Sequence, residues 1–330
     1  MKRLFKLGLI IIAALLLCVL IYCFLNKKKE YTKNLYYMDT YIYVKIYEKS
    51  SEKAEVILNE VEQIYREYHE LTDRYNHYDG IFNIYDIHNN TLEDETLTLD
   101  QKLYDILEFA YNWHKKYYKL NIEMGDIIDV WKKYRDTSIG IPTLEELNSA
   151  SNYVELVLLD DNQILNNQTN LDLGSVAKGY ATEKVGEYLE SIGVEQYLIN
   201  AGGNVKVGKA YNKDYYKIGV QSPSVDGNLL TVVKGNNISV VTSGDYERNY
   251  TYNGKEYHHI IDPDTLFPSE YMKSVTVICK DSSLGDVLST ILFLMSVEDG
   301  QEFIKNSDVE AIWYTNDNQI IRSEGFSSYE

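Results

Sequence analysis

A run of uncharged, mostly apolar residues near the N-terminus divides this chain into two parts. Residues 7–25 contain no charged side chain, and the run is long enough to cross a membrane as a helix. Lysines and arginines lie on both sides of it, so the balance of positive charge does not settle its orientation. We interpret residues 1–30 as an uncleaved membrane anchor or signal-like segment, and residues 31–330 as one body outside the cytoplasm.

Two other interpretations of this segment stay open, namely a cleaved signal peptide and a lipid-modified cysteine. No small-residue cleavage site closes the apolar run, and the residues before Cys18 and Cys23 are bulky, whereas such processing usually needs small ones. The third cysteine, Cys279, lies in an apolar run and is expected to be a buried strand residue. Three cysteines so placed predict neither a disulfide framework nor a zinc site.

The composition of the chain excludes one class of partner and bounds the fold. A formal net charge of −18 is unfavourable for binding nucleic acid, so we expect no nucleic-acid partner. The 330 residues suffice for one large domain or two moderate ones. Strand-like and helical patterns are mixed rather than strictly alternating, which favours the α+β class.

Local patterns predict the elements of the body. A strand is expected over residues 35–48, followed by a helix capped by Ser51. A second helix is centred on residues 103–113, and a capping box at Thr143 opens a short helix. The remaining predicted elements are two strands between residues 154 and 173, a helix over 174–190, a strand over 196–200, further strands up to residue 262, and a helix over 283–295.

Residues 171–181 form the first segment with chemical content. They are typical of a short apolar strand, a turn of small residues and an amphipathic helix. Such a turn offers backbone N–H groups, the hydroxyl of Ser175 and the cation of Lys178, a set that suits a pyrophosphate. An ordinary strand–helix turn with a solvated lysine explains the same residues. The segments 200–204 and 242–246 are also explained by plain turns after strands.

Two further segments supply proton-transfer and metal-binding groups. His258 and His259 lie at the edge of an apolar run, and in a strand their side chains point to opposite faces. One of them would then face a site as general base, although two structural histidines remain the alternative. Asp286 and Thr290 lie four residues apart on one helix face, with Ser289 between them, and offer oxygen ligands of the kind Mg²⁺ uses. A capping or solvent-facing carboxylate is the alternative for Asp286.

These segments occur together in an order that identifies a family. In chain order they are residues 38–40, 171–181, 200–204, 242–246, 259–263 and 286–290. The chain resembles the FAD:protein FMN transferases, the ApbE-like flavin transferases, from about residue 37 to about residue 313. The resemblance implies a T-fold-related α+β body that cleaves FAD with Mg²⁺, releases AMP, and attaches FMN by a phosphoester bond to a Thr or Ser of an extracytoplasmic or membrane protein.

The resemblance also implies roles for individual residues. His259 is the candidate catalytic base. The positions that match FAD contacts are Met38, Tyr75, Lys119, Leu120, Asn121, Asp172, Lys178 and Ile261. The positions that match metal ligands are Ser175, Asp286 and Thr290, with Ser289 adjacent.

Four positions depart from the family pattern. Asp39 stands where Gly is usual, and Asn121 replaces a common Asp. Leu266 and Phe267 occupy a place where a Gly is usual, which is expected to reshape the loop after Pro263. Ser289 is Asp in some relatives, so the metal site is expected to carry one negative charge less.

Three alternatives to the transferase remain at this stage. The same site with water as the acceptor would be an FAD pyrophosphatase that yields FMN and AMP. A non-catalytic flavin-binding electron carrier would retain flavin and release no AMP. A purely structural surface protein would leave the co-occurrence of the six segments unexplained.

Overall fold

The computed structural model describes residues 27–90, 95–151, 153–223 and 228–330, together with Lys6 and Leu15. The apolar run that we interpret as an anchor therefore lies outside the described residues, apart from Leu15. Among the residues described, no helix is both long enough and apolar enough to cross a membrane.

The described residues contain strands and helices throughout. The strands are β1 (Lys29–Tyr37), β2 (Thr40–Glu48), β3 (Thr96–Thr98), β4 (Gln163–Leu165), β5 (Tyr197–Ala201), β6 (Asn204–Val207), β7 (Tyr216–Gln221), β8 (Leu229–Gly235), β9 (Ile238–Gly244), β10 (Asn249–Tyr252), β11 (Lys255–His258), β12 (Met272–Cys279), β13 (Glu310–Thr315) and β14 (Ile320–Arg322). The helices are α1 (Ser51–Thr72), α2 (Ile84–His88), α3 (Gln101–Lys116), α4 (Gly125–Thr137), α5 (Leu144–Ala150), α6 (Ala177–Ser191), α7 (Ser282–Phe293) and α8 (Val297–Ile304), and a 3₁₀ helix covers Phe326–Tyr329.

A large antiparallel sheet organises the described part of the chain. Its eight strands run in the order β1-β2-β5-β6-β9-β12-β13-β14. Helices α1, α6 and α7 pack on one face, where they share the larger hydrophobic core with the sheet. The hairpin β7–β8 and the 3₁₀ helix form a second core with the other face. The α+β class expected from the sequence is confirmed.

The single strand predicted over residues 35–48 is a hairpin of two strands. Strands β1 and β2 pair from Lys29–Glu48 to Tyr37–Thr40, and Met38 and Asp39 form the turn between them, each with a φ of 54°. Two left-handed central residues define a type I′ turn, which usually contains Asn or Gly. Neither is present, so the alternating pattern continues through the turn and conceals it.

Three other local predictions differ from the structure. Ser50 rather than Ser51 caps α1, since its Oγ accepts the Lys53 N–H at 3.2 Å. Residues 154–173 contain only β4, not two strands. Residues 171–173 lie outside any strand because their backbone makes a different hydrogen bond. The Asp172 N–H donates to the carbonyl of Ile122 at 2.8 Å.

Other local predictions are confirmed. The capping box at Thr143 forms, with Glu146 as its partner, and opens α5. The helix predicted over residues 283–295 is α7, and the one centred on residues 103–113 is α3. Cys279 is a buried residue of β12, 4% exposed.

Candidate active site

A cavity of about 790 Å³ lies beside the tip of the β1–β2 hairpin and the N-terminus of α6. Its volume falls within the range of small-molecule and cofactor sites. Twelve of the thirteen site residues predicted from the sequence line it: Met38, Tyr75, Lys119, Leu120, Asn121, Asp172, Ser175, Lys178, His259, Ile261, Asp286 and Thr290. Ser289 does not. The structure thus brings these residues to one place, while the role of each stays a prediction.

The N-terminus of α6 is capped by a carboxylate from α7. The Gly179 N–H donates to Asp286 Oδ2 at 2.7 Å, and Asp286 Oδ1 lies 3.9 Å from Lys178 Nζ. Lys178 Nζ also donates to the carbonyl of Gly174 at 3.1 Å. Oδ2 of Asp286 therefore caps the start of α6, and Oδ1 lies near the ammonium group of Lys178 at the wall of the cavity.

Two other predicted metal ligands, Ser175 and Thr290, line the same cavity as Asp286 and offer hard oxygen donors. Thr290 lies one turn after Asp286 and donates to its backbone carbonyl at 3.3 Å. Among the described residues, no group of three or more His, Cys, Asp and Glu side chains is arranged to hold a metal. A set with one carboxylate fits Mg²⁺ in that it leaves coordination positions for water and phosphate oxygens.

Ser289 has other neighbours. Its side chain is fully buried, and its Oγ lies 2.8 Å from Ser243 Oγ and donates to the Asp286 carbonyl at 3.0 Å. This geometry gives no support to Ser289 as a direct metal ligand, although that role stays a prediction.

An arginine that the sequence did not single out holds the segment before α6. Arg74 donates to both oxygens of Asp129, at 2.9 and 3.0 Å, and to the carbonyl of Leu171 at 3.0 Å. Asp172 lies 3.7 Å from the same guanidinium and accepts the Gly174 N–H at 2.9 Å. Burial lowers the pKa of Arg74, but the carboxylates of Asp172 and Asp129 outweigh it and raise that pKa above its ordinary value.

The segment of residues 119–121 is attached to the loop after the histidines. Lys119 Nζ contacts Asp262 Oδ2 at 3.0 Å and Asp264 Oδ2 at 2.9 Å. Burial lowers the pKa of Lys119, but Asp264 and Asp262 raise it overall. Its charge is therefore neutralised within the protein, and the two ion pairs hold its segment against this loop, while its role as an FAD contact stays a prediction.

The two histidines face different surroundings, as expected. His258 Nε2 lies 2.8 Å from the carbonyl of Ser269, and its ring packs edge-on against Phe293. His259 lines the cavity, and its buried Nδ1 has no hydrogen-bond partner among the described residues. Burial and the cations Arg248 and Lys178 lower the pKa of His259 to about 3, so its imidazole is neutral at neutral pH.

Three other predicted FAD contacts, Met38, Tyr75 and Ile261, also line the cavity. Met38 is held at the hairpin tip, where its N–H donates to His69 Nδ1 at 3.4 Å and its carbonyl accepts from Arg248 Nη2 at 3.4 Å. Tyr75 is 43% exposed, and its ring lies 4.9 Å from the Arg74 guanidinium. Ile261 is buried in a small core beside Trp131 of α4.

Charged residues that sequence reasoning missed also line the cavity, among them Arg135, Glu247 and Arg248. Burial raises the pKa of Glu247, while Lys178 and Arg248 oppose that rise. The sequence offered a way to find Glu247 and Arg248, because both directly follow the turn of residues 242–246.

The loop after Pro263 contains a left-handed residue at a position that departs from the family pattern, and the expected reshaping of this loop stays a prediction. Leu266 has a φ of 63°, in the left-handed region where glycine is favoured. Its carbonyl accepts the indole N–H of Trp131 at 2.8 Å, and its side chain is buried in the same small core. Packing against Trp131 thus stabilises a conformation that leucine rarely adopts.

Comparisons with known proteins find flavin transferases among the relatives of this chain. Among curated proteins, an FAD:protein FMN transferase of Klebsiella pneumoniae is 34% identical over 217 residues, which cover 62% of this chain and 65% of that protein. One from Vibrio cholerae is 30% identical over 220 residues and 64% of each chain. The matches thus span somewhat less than two thirds of these relatives' length.

Solved structures match the fold over a longer part of the chain. The ApbE protein of Thermotoga maritima superposes with a TM-score of 0.81 at 24% identity, covering 92% of this chain and 99% of that one. The flavin transferase ApbE of Vibrio cholerae gives a TM-score of 0.76 at 21% identity, covering 92% and 100%. The model of the ApbE family matches residues 38–313, which include all the residues that line the cavity except Tyr36 and Tyr37. The chain belongs to the ApbE family.

Proposed function

We propose that this protein is an FAD:protein FMN transferase that uses Mg²⁺. One observation carries the proposal: a neutral histidine, a lysine and a carboxylate of this ApbE-family chain meet in one cavity of about 790 Å³. The names of the curated relatives support it. FAD is then the substrate, and the acceptor is a Thr or Ser hydroxyl of another protein.

The N-terminus of α6 is the proposed site of the FAD phosphates. Lys178 supplies a positive charge there, and the first amides of the helix favour anions. Arg248, which donates to the Met38 carbonyl at the hairpin tip, adds a second cation to the same cavity. These groups offset the electrostatic cost of bringing a pyrophosphate to a protein whose net charge is −18.

Asp286, Thr290 and Ser175 are the residues that would hold Mg²⁺. When bound, the ion supplies neutralisation of phosphate charge and activation of the leaving group. Asp286 is already oriented for this by its bond to the Gly179 N–H. Thr290 is fixed by its contact with the Asp286 carbonyl.

His259 is the proposed base for the acceptor hydroxyl. Its neutral imidazole takes the hydroxyl proton as the oxygen forms a bond to the FMN phosphorus. The bond between that phosphorus and the bridging oxygen breaks, and AMP leaves with the bridging oxygen. Water in place of the hydroxyl gives FMN and AMP.

The proposed location is the cell membrane, with the body outside the cytoplasm. The uncharged run of residues 7–25 supports the membrane part of this proposal, because its length suits a membrane-spanning helix. The acceptor would then be an extracytoplasmic or membrane protein.

The test uses the full chain, purified in detergent, with FAD, Mg²⁺ and a Thr-containing acceptor protein from a flavinylated system. Intact masses of the acceptor and chromatography of the nucleotides are recorded, with EDTA as the control. We expect the acceptor to gain the mass of one FMN, AMP to appear, and EDTA to block both. AMP without acceptor modification would favour the pyrophosphatase, and bound FAD without AMP would favour a flavin carrier.

A further inference from the structure

A buried polar cluster behind the cavity joins the start of α7 to α6 and β6. Glu183 of α6 accepts two hydrogen bonds on Oε2, from the Ser282 N–H at 2.5 Å and from Lys206 Nζ at 2.9 Å. Ser282 Oγ donates to Asn204 Oδ1 at 2.6 Å, and Lys206 Nζ also donates to the carbonyl of Lys280 at 3.1 Å. We call Glu183, Asn204, Lys206 and Ser282 the helix-end bridge.

The helix-end bridge lies apart from the substrate cavity. None of its four residues lines the cavity, and Ser282, Asn204 and Lys206 are at most 5% exposed. Burial raises the pKa of Glu183, and Lys206 opposes that rise. A buried ion pair is weak evidence of stabilisation, because desolvation of both charges offsets their attraction. We therefore ask which groups the Glu183–Lys206 pair positions, rather than how much it stabilises the fold.

The bridge is one half of a reciprocal arrangement between α6 and α7. Glu183 of α6 accepts the Ser282 N–H at the start of α7, and Asp286 of α7 accepts the Gly179 N–H near the start of α6. Glu183 follows Gly179 by four residues, and Asp286 follows Ser282 by four, so each pair lies on one helix face. A displacement of α7 would change both bonds together.

We infer that Glu183 is a positioning residue for Asp286. The bridge fixes the start of α7 and, one turn later, the carboxylate oxygen of Asp286 that lies beside Lys178. The inference rests on the proposed function, in which this oxygen holds a divalent cation. Groups that orient a metal ligand without touching the metal typically change metal affinity by about 10- to 100-fold when they are altered.

The test measures Mn²⁺ binding to the full-length protein by electron paramagnetic resonance, independently of turnover. Glu183→Gln keeps an oxygen for the Ser282 N–H but removes the charge that holds Lys206. We expect Mn²⁺ affinity to fall by about 10-fold or more, and FAD affinity without metal to change by no more than about twofold. Excess Mg²⁺ should restore turnover, which a general loss of structure would not allow.

The matched control is Glu187→Gln, one turn further along α6. Glu187 pairs with Lys184 at 3.0 Å at the protein surface, so its loss should leave Mn²⁺ affinity unchanged. Melting curves of all variants report on folding. If Glu183→Gln does not fold, Ser282→Ala takes its place, because it removes the bond to Asn204 without unpairing a charge. We expect Ser282→Ala to lower Mn²⁺ affinity by about threefold to tenfold.

Two outcomes would overturn the inference, and they are distinguishable. If the wild type binds Mn²⁺ and a folded Glu183→Gln protein binds it equally well, Glu183 does not position Asp286, while the proposed function stands. If the wild type binds no Mn²⁺ even with FAD present, the proposed metal site fails and the inference fails with it.

Discussion

The two oxygens of Asp286 have different neighbours, which allows its roles to be separated by substitution. Asp286→Asn keeps an oxygen for the Gly179 N–H but removes the negative charge near Lys178. We expect Mg²⁺-dependent turnover to fall by about 100-fold or more while the melting curve stays close to that of the wild type. Asp286→Ala also removes the helix cap and should cost about a further 1 kcal/mol of stability. Near wild-type turnover in Asp286→Asn would contradict the metal role.

The lowered pKa of His259 leads us to expect a difference between the pH profiles of kcat and kcat/KM. Burial and the cations Arg248 and Lys178 lower its pKa to about 3 in the free protein. The phosphates of bound FAD bring negative charge to the same cations, so the pKa in the complex should be higher. The acid limb of kcat, which reports the complex, should then lie at higher pH than that of kcat/KM for FAD, which reports the free protein.

The substitution that tests whether His259 causes the acid limb is His259→Gln, which removes the titrating ring. We expect it to slow transfer by about 100-fold or more and to remove the acid limb from kcat, with little change in FAD affinity. Equal losses in turnover and affinity would indicate a binding role. Acid limbs at the same pH in both wild-type profiles would contradict the predicted effect of FAD on the pKa of His259.

At the scale of elements, the close contact of α6 and α7 depends on one glycine. A Cβ on Gly179 would lie 2.4 Å from both Asp286 Cβ and the carbonyl oxygen of Ser282. Since a backbone carbonyl cannot rotate away, Gly179→Ala should separate the helices, destabilise the fold by about 2 kcal/mol and lower turnover. Urea unfolding measures the first effect. Gly219→Ala is the control, because the atoms nearest to its Cβ would be those of the Leu229 side chain, which can move. Unchanged stability in Gly179→Ala would contradict the prediction.

Local sequence patterns predicted some of these elements better than others. α7 was predictable because a long apolar helical run needs no information from distant residues. The turn at Met38 and Asp39 was not, because its left-handed geometry is made without Asn or Gly and is stabilised by contacts to His69 and Arg248. The expected strand at residues 171–173 failed for a related reason, since Arg74 and Ile122 bind its backbone.

The site shows the same division between local and distant information. The order of six short segments placed Lys178, His259 and Asp286 correctly at one cavity. That order gave no indication that Arg74 is held by Asp129, 55 residues away along the chain. The neutralisation of Lys119 likewise depends on a loop 143 residues further on. Partners this distant have no spacing that a single sequence reveals.

At the scale of the whole molecule, a half-buried carboxyl, that of Asp245, links stability to pH. Burial, and secondly Glu256, raise the pKa of Asp245 from 3.8 to about 6, while Lys273 opposes the shift. A raised carboxyl pKa favours the folded state only while the group is protonated, so this contribution is lost as pH rises from about 4 through 6. Asp245→Asn should therefore stabilise the protein at pH 8 by about 1 kcal/mol, allowing for solvent screening. Urea unfolding at pH 4 and pH 8 tests this; an equal effect at both would contradict it.

The short distance along the chain between the apolar run and strand β1 allows a prediction of how near the body lies to a membrane. The Lys28 carbonyl accepts from Tyr211 Oη at 3.2 Å, and its side chain bonds to Gln196, so Lys28 is attached to the body. Only two residues separate Lys28 from the apolar run 7–25, a reach of about 10 Å. If that run spans a bilayer, this end of the sheet lies close to the membrane surface. Strand β1 then places the cavity residue Met38 at most about 34 Å further away.

The corresponding prediction compares the full chain with a variant lacking residues 1–26. We expect the full chain to sediment with membranes after a carbonate wash and the shortened chain to stay in the supernatant. Both should modify a soluble acceptor equally, because Met38 and the rest of the cavity lie in the part that both share. With an acceptor embedded in vesicles, only the full chain should act efficiently, since the anchor raises the local concentration of the enzyme at the membrane. A full chain that remains in the supernatant would contradict the anchor, whereas equal action on the embedded acceptor would show that the acceptor is recognised without it.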